Sequence, residues 1–429
     1  MEYRSRFTAK TLYKKIQKDG RYKGVCFGQD LCQSTFMKFL GLFRPIEGFG
    51  DGKNADSANV SVSITPDFPV LKNGKPSHEV IVKTDASMIQ VIDEQTLEPQ
   101  RLFMYGDLSS KLKGFATSSH EERDPETGEY FNFTLQFFPR PKYHLFRMTR
   151  DDPRPQLLTS IRAPAAYIHS FASTKNYIIL MVWPYLFKKG GLLIPFHKNY
   201  IQSLHFHEDK PVLFYVVDRR TGALVGQFEH EAFFVFHTVN AFEDKESGDI
   251  LIDACVYKNV NVIHDLYLQN IRDYTKLRVP VNVFRRFRLS GLQSGSLVTG
   301  LAKDEFAIPC SVELPRIHER CRQRHYRYAY GISNSSESKV PYDSIVKVDT
   351  YSQTVKIFRK DDCMPGEAIF VPDPDGKEED DGVLVSVILQ CKEQYSYLAV
   401  IDAKTMQEIA TARAPNMIPM GFHGAFVRK

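Results

Sequence analysis

Four histidines in this chain stand in settings that invite chemistry: His120, His169, His237 and His423. His237 lies inside EAFFVFHTVNAFED (residues 231–244), whose aromatic and β-branched residues read as a buried strand. An ionisable ring in so apolar a strand is either a hydrogen-bonded core residue or a ligand. His169 lies in AYIHSF (166–171). His423 lies in MGFHGAF (420–426), where glycines on either side permit close backbone approach. His120 precedes a polar turn, EERDPETG (121–128). The four are too far apart for a local metal motif, so their spacing is no evidence for a shared site. Only a closed ring of blades, each aiming one inner-strand histidine at the axis, would bring them together. The ion such a ring would hold is open at this point, since imidazole suits iron, zinc and copper alike. Four neutral ligands leave the full charge on a divalent ion. Carboxylates are then expected one layer further out, accepting the second ring N–H and fixing each tautomer. Glu313 in SVELP and Glu367 in GEAIFV are candidates, the alternative being ordinary charged strand residues. Most of the remaining histidines, His207 among them, sit among charges or turns and read as surface residues, and His264 opens a helix.

The elements that must position these rings are strands. From about residue 58 the pattern turns to β, and one phrase recurs: VIDEQT (91–96), VVDRRT (216–221), KVDTYS (347–352) and VIDAKT (400–405). Each ends an apolar strand with Asp and a tight polar turn, and a second strand follows. Recurring strand–turn–strand units are what propeller blades show. Further strands are read at Tyr177–Trp183, Asp249–Tyr257 and Gly382–Leu389. Two excursions, Pro184–His207 and Val262–Lys276, are expected to cross one face as a cap, the second as a helix. Near the start, 9–19 reads as a helix capped by Thr8 and stopped by Gly20. A second amphipathic helix is expected over 30–44, where Phe36, Met37, Phe39, Leu40 and Phe43 form a broad apolar surface for core packing or for a membrane face. No Pro/Ser-rich linker divides the chain, and 1–429 reads as one domain.

Composition narrows the class. The 31 Phe and 21 Tyr beside one Trp suit β-structure with a large apolar interior. The net charge of +5 is scattered, which argues against a nucleic-acid partner. Seven dispersed cysteines without a CxxC pair indicate neither a disulfide framework nor a zinc knuckle, and a reducing, cytoplasmic setting is the default. The start lacks the apolar core of a signal peptide, and the longest apolar run, 177–187, is too short to span a bilayer. A soluble protein, or one resting on a membrane surface, is expected.

The chain resembles the carotenoid cleavage oxygenase family along its length. The segments that carry the likeness are HEERDPETGE (120–129), YIHSFASTKNYII (167–179), FHTVNAFED (236–244), VELPRI (312–317), RYAYGI (327–332), GEAIFVPDPDGKEEDDGVLVSV (366–387) and AKTMQEIATARAPNMIPMGFHGAF (403–426). The stretch YVVDRRTGALVGQFEHEAFFVFHTVN (215–240) is most like the fungal branch that cleaves torulene or β-carotene. The resemblance implies an all-β, seven-bladed propeller with a helical or loop cap and non-haem Fe(II) on its axis. It places the iron ligands at His120, His169, His237 and His423, and their supporting carboxylates at Glu313, Glu367 and Asp85. The family usually has Glu at the last position, so the shorter Asp is expected to make a lengthened or water-bridged contact. The resemblance also implies a membrane-facing patch at 31–43 and O2 as co-substrate. The expected substrate is a carotenoid or apocarotenoid, cleaved at one double bond to two carbonyl products in an apolar tunnel. Phe171, Phe236 and Phe422 are candidates for its wall, with core packing the alternative. Other readings of the same fold are stilbene cleavage, retinoid isomerisation and an inactive truncated propeller. The family carries a longer leader ahead of the residues matching Tyr3–Phe7, so N-terminal strands of the propeller are expected to be lacking here.

Overall fold

The structure, a computed structural model, describes residues 2–28, 54–273 and 278–427. The expected helix and patch at Phe36, Met37, Phe39, Leu40 and Phe43 lie outside the described residues.

From residue 63 onward the chain forms consecutive antiparallel sheets, each a blade. The first comprises Ser63–Lys72, Lys75–Lys83, Met88–Ile92 and Pro99–Met104. The second runs through residues 116–161 and the third is built on 172–230. The fourth uses strands from Phe234–Glu243 to Lys303–Ile308, the fifth spans 313–359 and the sixth 363–413. Among the described residues there are six such blades, not the seven expected. The flanking stretches supply no strand for another: Lys10–Asp19 is helical, and 54–62 and 414–427 are irregular.

The blades form where apolar and β-branched residues alternate. Ile179 lies opposite Val216 in the third blade, and Val385 opposite Val400 in the sixth. Ile250–Tyr257 is buried at every position because it is a second strand covered on both faces. The first strands of neighbouring blades pack on one another around the axis: Ala172–Ser173 on Phe234–Glu243, and the latter on Glu313–Ile317. An apolar cluster spanning the second to fourth blades fills the space between sheets and includes fully buried Trp183. Val298–Leu301, from the last connection of the fourth blade, joins the outer edge of the third in parallel and covers that edge.

The Asp turns follow one chemistry. Asp93, Asp218, Asp349 and Asp402 each accept backbone N–H groups two or three residues on, Asp402 at 3.1 and 2.7 Å. Asp124 and Asp244 do the same in the second and fourth blades, so each of the six blades carries at least one such turn.

The excursions are less helical than expected. Pro184–His207 forms a two-stranded ribbon, Tyr185–Phe187 with Leu204–Phe206, joined by single helical turns. In place of one helix from Val262 there are two short ones, Asn261–Asp265 and Leu268–Ile271. Both excursions line the main cavity. The N-terminal helix is Lys10–Asp19, with Ala9 rather than Thr8 at its cap and Gly20 in the left-handed region at its end (φ 68°). No helix among the described residues is long and apolar enough to cross a membrane.

Candidate metal centre

Inner strands are regular until they reach the axis, and there each one breaks. In the second blade, Ala116–Thr117 and Glu122–Arg123 are separated by Ser118–Glu121, and the gap turns His120 inward. His169 lies just ahead of Ala172–Ser173. In Phe234–Glu243 the register slips between Val235 and Thr238, a bulge that re-aims His237. In the fifth blade the slip falls between Glu313 and Arg316, with Leu314 at φ 48°. Gly331 faces that bulge: a Cβ there would stand 2.7 Å from the Glu313 carbonyl oxygen, so only glycine lets the backbone pass. His423 arrives from the irregular segment after the sixth blade.

These four histidines, scattered over three hundred positions, place one ring nitrogen each within 4.8 Å of one another. His120 Nε2 is 3.2 Å from His169 Nε2, and His237 Nε2 is 3.2 Å from His423 Nε2. The other nitrogens of three rings face carboxylates. His169 Nδ1 is 2.9 Å from Asp85 Oδ1, His237 Nδ1 is 2.5 Å from Glu313 Oε2, and His423 Nδ1 is 2.9 Å from Glu367 Oε1. A carboxylate accepts, so each Nδ1 carries the proton and each Nε2 presents its lone pair inward. Among the described residues no carboxylate bonds the His120 ring; its backbone N–H donates to Ser118 Oγ, and its ring packs edge-on against the other three.

Electrostatics favour neutral rings at His120 and His423 and charged acids at Asp85, Glu313 and Glu367. Burial, reinforced by the neighbouring imidazoles, pushes His120 well below the usual histidine range. Burial likewise lowers His423 to about 4, against the opposing pull of Glu367. Burial acts to raise Glu367, but Arg316 and the His423 N–H outweigh it and hold the carboxyl at about 2. Asp85 and Glu313 are lowered in the same way, burial being overcome by His169 and by His237.

A profile of the retinal pigment epithelial membrane protein family matches residues 1–428. The chain belongs to this family. Its relatives include a carotenoid dioxygenase of Neurospora crassa, 31% identical over 99% of this chain and 78% of that protein. A torulene dioxygenase of Gibberella fujikuroi is 32% identical over 98% of this chain and 79% of its own length. Among solved structures, the cobalt-substituted apocarotenoid oxygenase of Synechocystis superposes with a TM-score of 0.74 at 24% identity, covering 97% of this chain and 82% of that one. The propeller is thus the fold of the carotenoid oxygenases.

Within this family fold, the donor set fits a metal ion. Two inward lone pairs 3.2 Å apart repel unless a cation lies between them, and protonating His423 is opposed by burial. The separation is close to the ~3 Å expected of two adjacent ligands about 2.1 Å from one ion. The Asp85 contact is direct at 2.9 Å, not lengthened or bridged. The backbone supplies the missing reach, because Ala86 pairs with Ala116 and the Asp85 carbonyl accepts from Thr117 N–H at 2.9 Å.

A cavity of about 1000 Å³ opens onto the rings of His169, His237 and His423. Its walls include Phe133, Leu135, Phe187, Phe236, Ile263 and Leu266, with Phe422 also on the lining. Phe171 is not on it; at 1% exposure it packs in the core against Phe133, because Ala172 and Ser173 carry its strand into the sheet. Two functional neighbours escaped the sequence reading. Tyr167 donates its hydroxyl to Asp85 Oδ2 at 2.8 Å, and it stands two residues before His169. Arg316 forks onto Glu367 at 2.9 and 2.8 Å; an arginine inside the apolar run VELPRI was its signal.

Proposed function

We propose that the protein is an Fe(II)-dependent dioxygenase that cleaves one double bond of a carotenoid or apocarotenoid, of the torulene or β-carotene type, to two carbonyl products. The observation that carries this reading is the convergence of four imidazole Nε2 atoms on one side of a large, aromatic-walled cavity, in a chain kin to fungal carotenoid dioxygenases. Iron held by His120, His169, His237 and His423 would supply the redox chemistry that joins O2 to an electron-rich alkene.

The chain's own residues do the rest. Asp85, Glu313 and Glu367 hold three Nδ1 protons in place, so three rings keep one tautomer and one orientation throughout. Phe133, Leu135, Phe236, Ile263 and Leu266 give a conjugated chain apolar surface and keep water from the reacting bond. At about 1000 Å³ the cavity stands at the upper end of ligand pockets, as a long polyene requires. The reaction as written calls on no side chain as nucleophile or general base. Such a polyene is dissolved in membrane, so the reading includes a cavity mouth that docks on a membrane surface from the cytoplasm.

The test is anaerobic purification with iron analysis, followed by exposure to air with torulene, β-carotene and a stilbene in turn. About one iron per chain and a pair of carbonyl products from a carotenoid are expected, identified by mass. Products from the stilbene alone would move the substrate class. No iron and no bleaching would leave an inactive propeller.

A further inference from the structure

The fourth histidine is held differently from the others. His120, His169 and His237 lie in or beside inner strands, whereas His423 belongs to 414–427, which forms no strand. That segment is tied back first at Ser396, whose Oγ accepts from Ile418 N–H at 2.9 Å and donates to the Ile418 carbonyl at 2.8 Å. Past Ile418 it is held by Glu367 and Arg316. Gly424 N–H donates to Glu367 Oε2 at 2.8 Å, and the Gly424 carbonyl accepts from Arg316 Nη2 at 2.8 Å. The same guanidinium forks onto the same carboxylate through Nε and Nη2, while Glu367 Oε1 faces His423 Nδ1. One carboxylate therefore serves an imidazole, a backbone amide and a guanidinium, and the guanidinium also grips the carbonyl next to the histidine.

Ordering irregular backbone costs entropy that a strand offsets through its ladder. Here a bidentate ion pair replaces the ladder. Asp85 is steadied by Tyr167 and Glu313 by the Leu314 amide, each below a ring carried on or beside a strand. The guanidinium is found at the carboxylate whose histidine has no strand beneath it.

We infer that Arg316 is a positioning residue for the fourth ligand: through Glu367 and Gly424 it latches the terminal segment across the fifth and sixth blades and so sets whether His423 reaches the centre. The inference rests on the metal-centre reading above, but the latch belongs to the metal-free chain and can be judged there. Lysine can supply the charge at 316 but not the fork, so it closes the latch in part.

The experiment compares full-length wild type with Arg316→Met, Arg316→Lys and His423→Ala. Hydrogen exchange is followed on metal-free protein, and Co(II) is titrated anaerobically with its visible spectrum recorded. In Arg316→Met, amides of 419–425 are expected to exchange at least about tenfold faster while blade amides keep their rates. Co(II) affinity is expected to fall roughly 10- to 100-fold. The spectrum per bound ion should move toward that of His423→Ala, because an imidazole is lost. Arg316→Lys should lie between. A merely structural role would speed exchange in the blades as well and leave the spectrum per bound ion unchanged, and that result overturns the inference. So does wild-type exchange at 419–425 in Arg316→Met. If that variant does not fold, wild-type exchange and spectrum in Arg316→Lys overturn it equally, since the fork is gone there too. If wild type itself takes up no Co(II), the metal reading fails while the exchange data still decide the latch.

Discussion

Replacing Asp85 tests whether the outer carboxylates govern the rings. Asp85 accepts from His169 Nδ1 at 2.9 Å and from the Tyr167 hydroxyl at 2.8 Å, both in buried surroundings. Alanine leaves both donors facing a methyl group. A hydrogen bond to a charged group is worth about 1.5–3 kcal/mol. Loss of an outer carboxylate typically lowers metal affinity roughly 10- to 100-fold, about 1.4–2.7 kcal/mol. Ser119 Oγ, 3.3 Å from His169 Nδ1, can take over part of the contact, which places Asp85→Ala near the tenfold end. Asp85→Asn should lose less, because its amide oxygen still accepts from the imidazole and its NH2 can donate to the tyrosine oxygen. Asp85→Glu should not tighten binding. The backbone already brings the carboxylate into contact, so a further methylene overpacks the site at about 1–3 kcal/mol. The assay is competitive titration of Fe(II) against a chelator under anaerobic conditions, with His169 observed by selective 13C-histidine NMR in the metal-free protein. Wild-type affinity in Asp85→Ala, or tighter binding in Asp85→Glu, would refute the reasoning.

His237→Ala should abolish iron uptake, whereas His207→Ala, whose ring lies 4.0 Å from Asp209, should leave it intact; metal analysis of both variants decides. Gly331→Ala forces a Cβ to 2.7 Å from the Glu313 carbonyl oxygen, and should lower stability by about 1–3 kcal/mol and weaken metal binding, read by denaturation and by iron titration. For Asp349, burial raises the carboxyl, but Arg327 and the turn amides of Ser352 and Tyr351 bring it down to about 2. The unfolded chain therefore binds this proton first, so the stability it contributes is present above about pH 4 and is lost as pH falls from there toward 2. Asp349→Asn should remove that part of the acid dependence in urea unfolding measured at stepped pH.

What could be read from sequence, and what could not, follows from how local each signal is. The Asp turns are local: side chain and target amides lie within three residues, so VVDRRT announced its turn unaided. EERDPETG reads as a turn as well, but Asp124 and Asp244 stand outside the recurring phrase because they lack its apolar residues directly before Asp. The working part is Asp-x-x-Thr/Ser, which DPET and DKES also satisfy. Local settings singled out the four histidines, but only the family likeness assigned them to one ion, since contacts such as His237 to His423 close across the ring of blades and leave no trace in spacing. Phe171 and Phe236 were read alike for the same reason. Both lie within two residues of a histidine in an apolar stretch, but Phe236 sits at the register slip of Phe234–Glu243 and lines the cavity, while Phe171 stands just ahead of Ala172–Ser173 and packs in the core. Seven blades were expected from kinship rather than from counted strands, and the described residues contain six.

The charges around the proposed centre select the ion's valence. Imidazole ligands are neutral and contribute nothing, and burial favours that form for His120 and His423. Asp85, Glu313 and Glu367 bring three negative charges one layer out, and Arg316 returns one positive charge to Glu367. Lys83 and Glu121, buried beside His120, cancel as a pair. Two net negative charges remain in a poorly solvated region, and a divalent cation balances them. A trivalent ion would leave an uncompensated charge there, which low-dielectric surroundings penalise strongly. If the proposed centre holds iron, these charges would favour its ferrous state without touching the metal. Removing one, as in Glu367→Gln, should therefore raise the Fe(III)/Fe(II) potential relative to wild type, since one negative charge that stabilises the higher valence is gone. Potentiometric titration of the iron-loaded variant against wild type measures this directly, and an unchanged or lower potential would mean that these carboxylates orient the rings without setting the charge at the centre.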